Sequence, residues 1–186
     1  MKKITTVSYL AACIALGAGG VQAAGFDIGG TNVTFGGYVK LDAMVTDSDG
    51  EVAAVGRDFY VPALTPIGGD SATRFDMHAR QSRFFFSTAT AMEDGSKLTG
   101  HIELDFMATA GGDERITNSY SPRLRQAFIT YDGWLFGQTW TTFMDLNGLP
   151  DTLDFIGNTD AMVFNRQAQI RYTSGNFQVE IENHET

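Results

Sequence analysis

Leu98-Thr99-Gly100-His101-Ile102-Glu103-Leu104-Asp105-Phe106-Met107-Ala108 is the stretch that decides the fold class. Successive side chains of an extended backbone point to opposite faces, so Gly100, Ile102, Leu104, Phe106 and Ala108 share one side. His101, Glu103, Asp105 and Met107 share the other. The spacing predicts a strand with one apolar and one wet face. The same split occurs from Val33 to Thr46, where Val33, Phe35, Val39, Leu41 and Val45 oppose Thr34, Tyr38, Lys40, Asp42 and Thr46. It occurs again with Phe177, Val179 and Ile181 against Gln178, Glu180 and Glu182.

Between these lie less regular candidates at about 78–90, 124–131, 134–143 and 165–172. The expectation is therefore about seven antiparallel strands in an all-β chain, several of them near the ten residues that a tilted strand needs to cross a membrane. The connections carry more information than the strands. Asp94-Gly95, Asp132-Gly133 and Ser174-Gly175-Asn176 mark three short turns. The other three connections, about 47–77, 109–122 and 144–164, are long. Short and long alternate strictly, so tight turns gather at one end of the sheet and long loops at the other, as in outer-membrane barrels. Tyr131 and Trp134 flank one short turn and Tyr172 and Phe177 another, which fits an aromatic girdle. The alternative is a secreted soluble β-sandwich acting as a binding module, with the apolar faces forming a dry core.

The amino terminus predicts export. Lys2 and Lys3 precede an apolar run from Ile4 to Ala18, and Val21-Gln22-Ala23 offers small residues for cleavage. Residues 1–23 read as a signal peptide and 24–186 as the mature chain. A lipoprotein signal ending at Cys13 is the competing reading, though it would leave an apolar stub. Cleavage near Ala24 removes Cys13, and with it any disulfide. It also removes Lys2 and Lys3, which makes the formal charge of −9 two units more negative. That balance argues against a nucleic-acid partner.

Taken together, several stretches are similar to one family. They are Gly37-Tyr38-Val39-Lys40-Leu41-Asp42, Asp58-Phe59-Tyr60-Val61-Pro62, Thr73 to Phe84, Arg123-Leu124-Arg125-Gln126-Ala127-Phe128 and Gly137-Gln138-Thr139-Trp140. In order and spacing they resemble the general trimeric porins, and more narrowly the DcaP-like porins of Gram-negative bacteria. The resemblance implies a sixteen-stranded transmembrane β-barrel in the outer membrane, a homotrimer, and a third long loop folded inward to narrow the pore. The chain ends at Thr186 without a closing strand, and seven is an odd number, so the expectation is an N-terminal part of such a barrel. Alone it would leave bare sheet edges in lipid.

Barrel geometry turns the alternation into pore-lining candidates: Lys40, Asp42, His101, Glu103 and Asp105 follow directly. An arginine facing mid-bilayer lipid costs roughly 2 to 4 kcal/mol, which turns Arg83, Arg125 and Arg171 inward. Phe84, Phe86, Phe128, Ile170 and Tyr172 then face lipid. The arginines serve either as a rail for carboxylates and phosphates or as balance for Glu103 and Asp105. Arg80 and Arg166 take outward parity near the long-loop ends, reaching lipid phosphates or returning inward through a bulge. Asp145, Asp151, Asp154 and Asp160 populate the candidate constriction loop, with a solvated surface loop as the alternative.

No catalytic, cofactor or metal constellation emerges. Gly69-Asp70-Ser71 lacks an Asp-x-x-His partner, Asp47 to Glu51 lacks the ligand spacing of a calcium loop, and His78, His101 and His184 lie far apart. No phosphate-cradling Gly-Lys-Ser/Thr loop occurs. The reading is a non-enzymatic porin for passive diffusion of small hydrophilic solutes, leaning to anionic ones such as dicarboxylates. Its partners are outer-membrane lipid, two further copies of itself and small anionic solutes.

Overall fold

The computed structural model describes residues 21–48, 70–107, 115, 117, 119–148 and 165–183. Among them are ten strands: β1 (Val21–Ile28), β2 (Thr31–Tyr38), β3 (Asp42–Ser48), β4 (Ala72–His78), β5 (Arg83–Ala91), β6 (Lys97–Asp105), β7 (Arg123–Tyr131), β8 (Trp134–Trp140), β9 (Arg166–Ser174) and β10 (Phe177–Glu182). Eight form one antiparallel sheet in the order β1-β2-β5-β6-β7-β8-β9-β10, and β3 and β4 form a separate ribbon. No helix among the described residues is long and apolar enough to cross a membrane, which leaves open crossing by strands.

The expected count of seven is corrected in two ways. The run from Val33 to Thr46 is not one strand: pairing with β5 ends at Tyr38↔Arg83, and a new pairing, Asp42↔His78, begins in the ribbon. Gly37 stands at this corner with φ of 146°, and a Cβ there would lie 2.1 Å from the carbonyl oxygen of Arg83. Only glycine fits. Likewise 78–90 divides, because His78 closes β4 and Arg83 opens β5. The second correction is β1, which pairs with β2 from Val21↔Gly37 to Ile28↔Thr31 across a Gly29-Gly30 turn. Apart from Val21–Ala23, the expected signal peptide lies outside the described residues. With β1, the main sheet has an even number of strands.

The alternation of connections survives. The turns at 29–30, 92–96, 132–133 and 175–176 lie at one end of the sheet, and the ribbon extends the first long connection at the other. In the β7–β8 hairpin Asp132 and Gly133 adopt φ of 44° and 80°, a left-handed pair that matches the twist of the flanking strands.

The faces are inverted relative to a soluble protein. Cross-strand partners share a face, so the register Phe35↔Phe86, Phe86↔Ile102, Ile102↔Ala127, Ile129↔Phe136 and Phe136↔Ile170 defines one surface. On it Phe35, Phe86, Ile102, Ile129, Phe136 and Ile170 are all exposed. The buried apolar side chains are only Val33, Met107, Leu135 and Met144 among the described residues, whereas Glu103, Asp105, Arg125, Thr139 and Gln169 are buried. A continuous exposed apolar surface of this size needs an apolar environment to cover it. At its short-turn end Trp134 packs on Tyr172, with ring centroids 4.9 Å apart, and on Phe136 at 6.0 Å.

Candidate functional site

The polar face of β5, β6 and β7 holds a continuous ion-pair ladder at the long-loop end of the sheet. Asp105, with no exposed surface, accepts two hydrogen bonds from Arg123, Nε to Oδ1 at 2.8 Å and Nη2 to Oδ2 at 2.6 Å. It accepts a third from Arg125 Nη1 at 3.0 Å. Arg125 also donates through Nε to Glu103 Oε1 at 2.6 Å, and Arg83 Nη1 stands 3.9 Å from the same oxygen. Arg83 in turn lies over the Tyr38 ring, 5.5 Å from its centroid. Three guanidinium groups thus share two carboxylates: the fork of Arg123 meets Asp105 bidentately, Arg125 bridges Asp105 and Glu103, and Arg83 approaches Glu103 with one nitrogen.

A bulge makes this possible. Glu103 pairs with Gln126 but Leu104 pairs with Leu124, so Arg125 is the extra residue of β7. Arg125 and Gln126 therefore reach the same carboxylate, Gln126 Nε2 donating to Glu103 Oε1 at 3.4 Å. The bulge loosens the backbone on its far side, where Gln138 Nε2 donates to the carbonyl oxygens of Leu124 and Arg125, each at 3.3 Å. That repair matters where no water reaches the backbone.

The bulge also overturns the expected lipid-facing position of Phe128. Strict alternation from Arg125 sends Phe128 outward, but one inserted residue reverses the parity of everything after it. Phe128 pairs with His101 on the polar face, and their rings lie 5.3 Å apart. Phe85 stacks on the other side of His101 at 5.6 Å, its ring covering Gly36, and Ser87 Oγ meets His101 Nδ1 at 2.8 Å.

The remaining candidates fall in different places. Arg171 lies on the polar face, opposite Leu135 and Glu180 in register, with Ile170 and Tyr172 on the other. Lys40 stands in the corner between β2 and β3 rather than on a strand of the main sheet. It pairs with Asp42 at 2.9 Å, and its ammonium also donates to Gln81. Arg80 lies in the 79–82 connection, so strand parity does not apply to it, and its guanidinium covers Tyr120 at 4.8 Å. Arg166 stacks on Trp140 at 4.4 Å and sits within electrostatic range of Arg123, Arg125, Asp105 and Glu103. Asp145 is exposed and accepts a hydrogen bond from the Asn147 amide at 2.9 Å. Asp151, Asp154 and Asp160 lie outside the described residues. No group of His, Cys, Asp and Glu among the described residues suits a metal ion.

Sequence reasoning missed two features of this face. Arg123 was legible only as part of a family stretch, because a residue directly after Pro122 in a long connection gives no strand parity. The other is the root of the 141–165 connection. Past Trp140 the chain crosses over β9: Thr141 Oγ1 donates to Glu182 Oε1 at 3.2 Å, and the Thr142 amide donates to Glu180 Oε1 at 3.2 Å. The Thr142 hydroxyl binds that same oxygen. Glu180 and Glu182 are on the polar face of β10, paired with Arg171 and Gln169, so the long connection leaves β8 across the polar face.

A wall with exposed phenylalanines on one surface, ion pairs on the other and Thr141 and Thr142 laid against the polar side suits a membrane channel. The family model described as the DcaP outer membrane protein matches residues 24–179. The chain belongs to the DcaP outer membrane protein family. It is also similar to the crystal structure of the outer membrane channel DcaP of Acinetobacter baumannii, with 28% identity and a TM-score of 0.67, over 86% of this chain and 43% of that one. The chain therefore spans less than half the length of that DcaP channel. No curated protein matches it. DcaP membership places the chain in the outer membrane, which removes the secreted-sandwich reading and gives the exposed apolar face its solvent, lipid. A channel family is not an enzyme class.

Proposed function

We propose that this chain builds about half the wall of a sixteen-stranded, closed barrel through which small hydrophilic solutes diffuse passively, with a lean toward anions such as dicarboxylates. The barrel is further proposed to assemble as a homotrimer, after export directed by residues 1–23. The observation that carries the reading is the inversion of faces. Buried ion pairs on one side and exposed phenylalanines on the other suit a sheet between water and lipid. The even number of strands in the main sheet and the DcaP resemblance support closure by further strands. Bare edges at β1 and β10 would otherwise face lipid.

The lean toward anions is supported by the excess of arginine over carboxylate in the ladder: Arg83, Arg123 and Arg125 against Glu103 and Asp105. Arg125 is 4% exposed and bonded to both carboxylates, so it supplies field rather than a binding surface. Constriction by the 144–164 connection is supported at its root, where Thr141 and Thr142 lie against Glu182 and Glu180. Reversal potential of the complete protein in a planar bilayer, under a potassium chloride gradient, tests the lean. A potential on the chloride side is expected, and one on the potassium side overturns the preference.

A further inference from the structure

A cavity of about 280 Å³ is lined by His78, Ala79, Arg80, Phe106 and Tyr120. It lies where the β3–β4 ribbon meets the main sheet: His78 closes β4, Ala79 and Arg80 lead toward β5, and Phe106 directly follows β6. That is the long-loop end of the sheet. The backbone is fixed on both sides of Arg80. Its amide donates to His78 Nδ1 at 3.3 Å, its carbonyl accepts from the Phe106 amide at 3.1 Å, and the Ser82 amide donates to Ala79 O at 3.1 Å. An imidazole that accepts at Nδ1 carries its proton on Nε2, so the buried His78 side chain is an N–H donor. The Asp42 carboxylate stands 3.9 Å from the same Nδ1 and is itself met by the Lys40 ammonium at 2.9 Å. The Arg80 guanidinium lies over the Tyr120 ring, 4.8 Å from its centroid. An arginine held against a ring has less rotamer freedom to lose on meeting an anion, and its planar fork matches the oxygens of a phosphate.

Phe106 belongs to two surfaces. It walls the cavity, and its ring also packs on Phe84 with centroids 6.3 Å apart, while Phe84 packs on Phe35 at 6.5 Å. Phe35 and Phe84 are exposed on the lipid-facing side of the wall. A row of three rings therefore leads from the lipid-facing surface to the cavity. At this volume the cavity is small for a whole ligand and suits a headgroup whose hydrocarbon lies outside it. Its cationic and N–H groups select a negative headgroup, and at the membrane boundary a charge costs little.

We infer that this cavity holds the phosphate of a membrane lipid from the leaflet at the long-loop end. Arg80 is the principal contact, Tyr120 holds its guanidinium in place, and Phe35, Phe84 and Phe106 lie along the acyl chain. Phosphate ion in water offers the same oxygens but nothing to cover the rings. The inference rests on placement in the outer membrane and is independent of solute passage.

The experiment keeps the complete protein in detergent micelles doped with phosphatidic acid or with diacylglycerol, which has the same chains and no phosphate. Bound lipid is counted by native mass spectrometry, and folding is checked by heat-shifted gel mobility. Wild type retains phosphatidic acid and releases diacylglycerol; equal retention of both overturns the inference. Arg80→Ala weakens phosphatidic acid binding about tenfold or more, the loss of a charge-assisted contact. Arg74→Ala removes the same charge from an exposed position on the ribbon and leaves binding within about twofold. Equal effects of the two variants would mean diffuse attraction and would overturn the inference, as would unweakened binding by folded Arg80→Ala. Inorganic phosphate separates the two sources of the same chemistry: millimolar phosphate that displaces the lipid makes this a site for free anions and overturns the lipid assignment, whereas retention of the lipid supports it. Should Arg80→Ala not fold, Tyr120→Leu removes the ring beneath the guanidinium, and unchanged lipid binding there also overturns the inference. Conductance enters none of these readouts, so the channel reading stands or falls separately.

Discussion

Replacing Asp105 by Asn tests the ion-pair ladder at its most buried point. Asp105 has no exposed surface and accepts from Arg123 Nε at 2.8 Å, Arg123 Nη2 at 2.6 Å and Arg125 Nη1 at 3.0 Å. The amide keeps one oxygen, enough for Arg123 Nε. The oxygen that receives the other two bonds becomes an NH2 group pointed at two guanidinium donors, and two positive side chains lose their shared counter-charge. Two charge-assisted bonds at about 1.5 to 3 kcal/mol each, with cationic groups left facing one another, put the loss at about 3 to 5 kcal/mol. Equilibrium unfolding in urea of the complete protein, in detergent micelles or vesicles, measures it. A second readout follows from the same change, since the wall loses one negative charge and the reversal potential moves further toward chloride. A variant within about 0.5 kcal/mol of wild type would show that the ladder contributes nothing net, and the reasoning would fail.

Three further outcomes are expected. Ile102→Arg, on the exposed apolar face, costs roughly 2 to 4 kcal/mol in the same unfolding assay, whereas His101→Arg on the polar face costs less; equal costs would contradict the assignment of faces. Gly37→Ala places a Cβ against the Arg83 carbonyl at a φ of 146°, so a loss of at least about 1 to 3 kcal/mol or failure to insert is expected, read by heat-shifted mobility. In the β5–β6 turn the hydrogen bonds from Ser96, and then from the Tyr131 hydroxyl at 2.6 Å, hold the Asp94 carboxyl down to about 2 from 3.8. A carboxyl depressed on folding stabilises the turn above its unfolded pKa, and that contribution is lost as pH falls through about 2. Amide exchange of Ser96 followed through that window should steepen below pH 4 in wild type and lose the dependence in Asp94→Asn.

Much of the architecture was legible because its signal is local. Alternation at Ile102, Glu103, Leu104 and Asp105 gives both faces of β6 without reference to any other strand, and Asp132-Gly133 announces its hairpin by residue type. Three kinds of information were not local. The bulge at Arg125 inserts one residue without altering composition, so the parity of Phe128 could be known only from its pairing with His101. Breaks at Tyr38 and Arg83 are set by where β2 stops pairing with β5, while the alternation runs on through Val39, Leu41 and Ala43 into the ribbon. β1 was hidden by the expectation of a signal peptide over residues 1–23, because Val21-Gln22-Ala23 reads equally as a cleavage site and as the start of a strand.

The functional face divides in the same manner. The cost of an arginine in lipid is enough to turn Arg83 and Arg171 to the wet side, and each lies on the polar face. Electrostatics along one strand does not say which carboxylate an arginine meets, and the bridging of Glu103 and Asp105 by Arg125 is visible only in the paired strands. Glu180 and Glu182 were visible as a wet face, but their threonine partners lie about 40 residues earlier. A contact of that separation leaves no periodicity in either segment.

The most direct test of the central claim is single-channel recording of the complete protein in planar bilayers, with folding shown by heat-shifted gel mobility. Discrete conductance steps of uniform size are predicted. Folded protein that inserts into the bilayer and gives no steps would contradict the account.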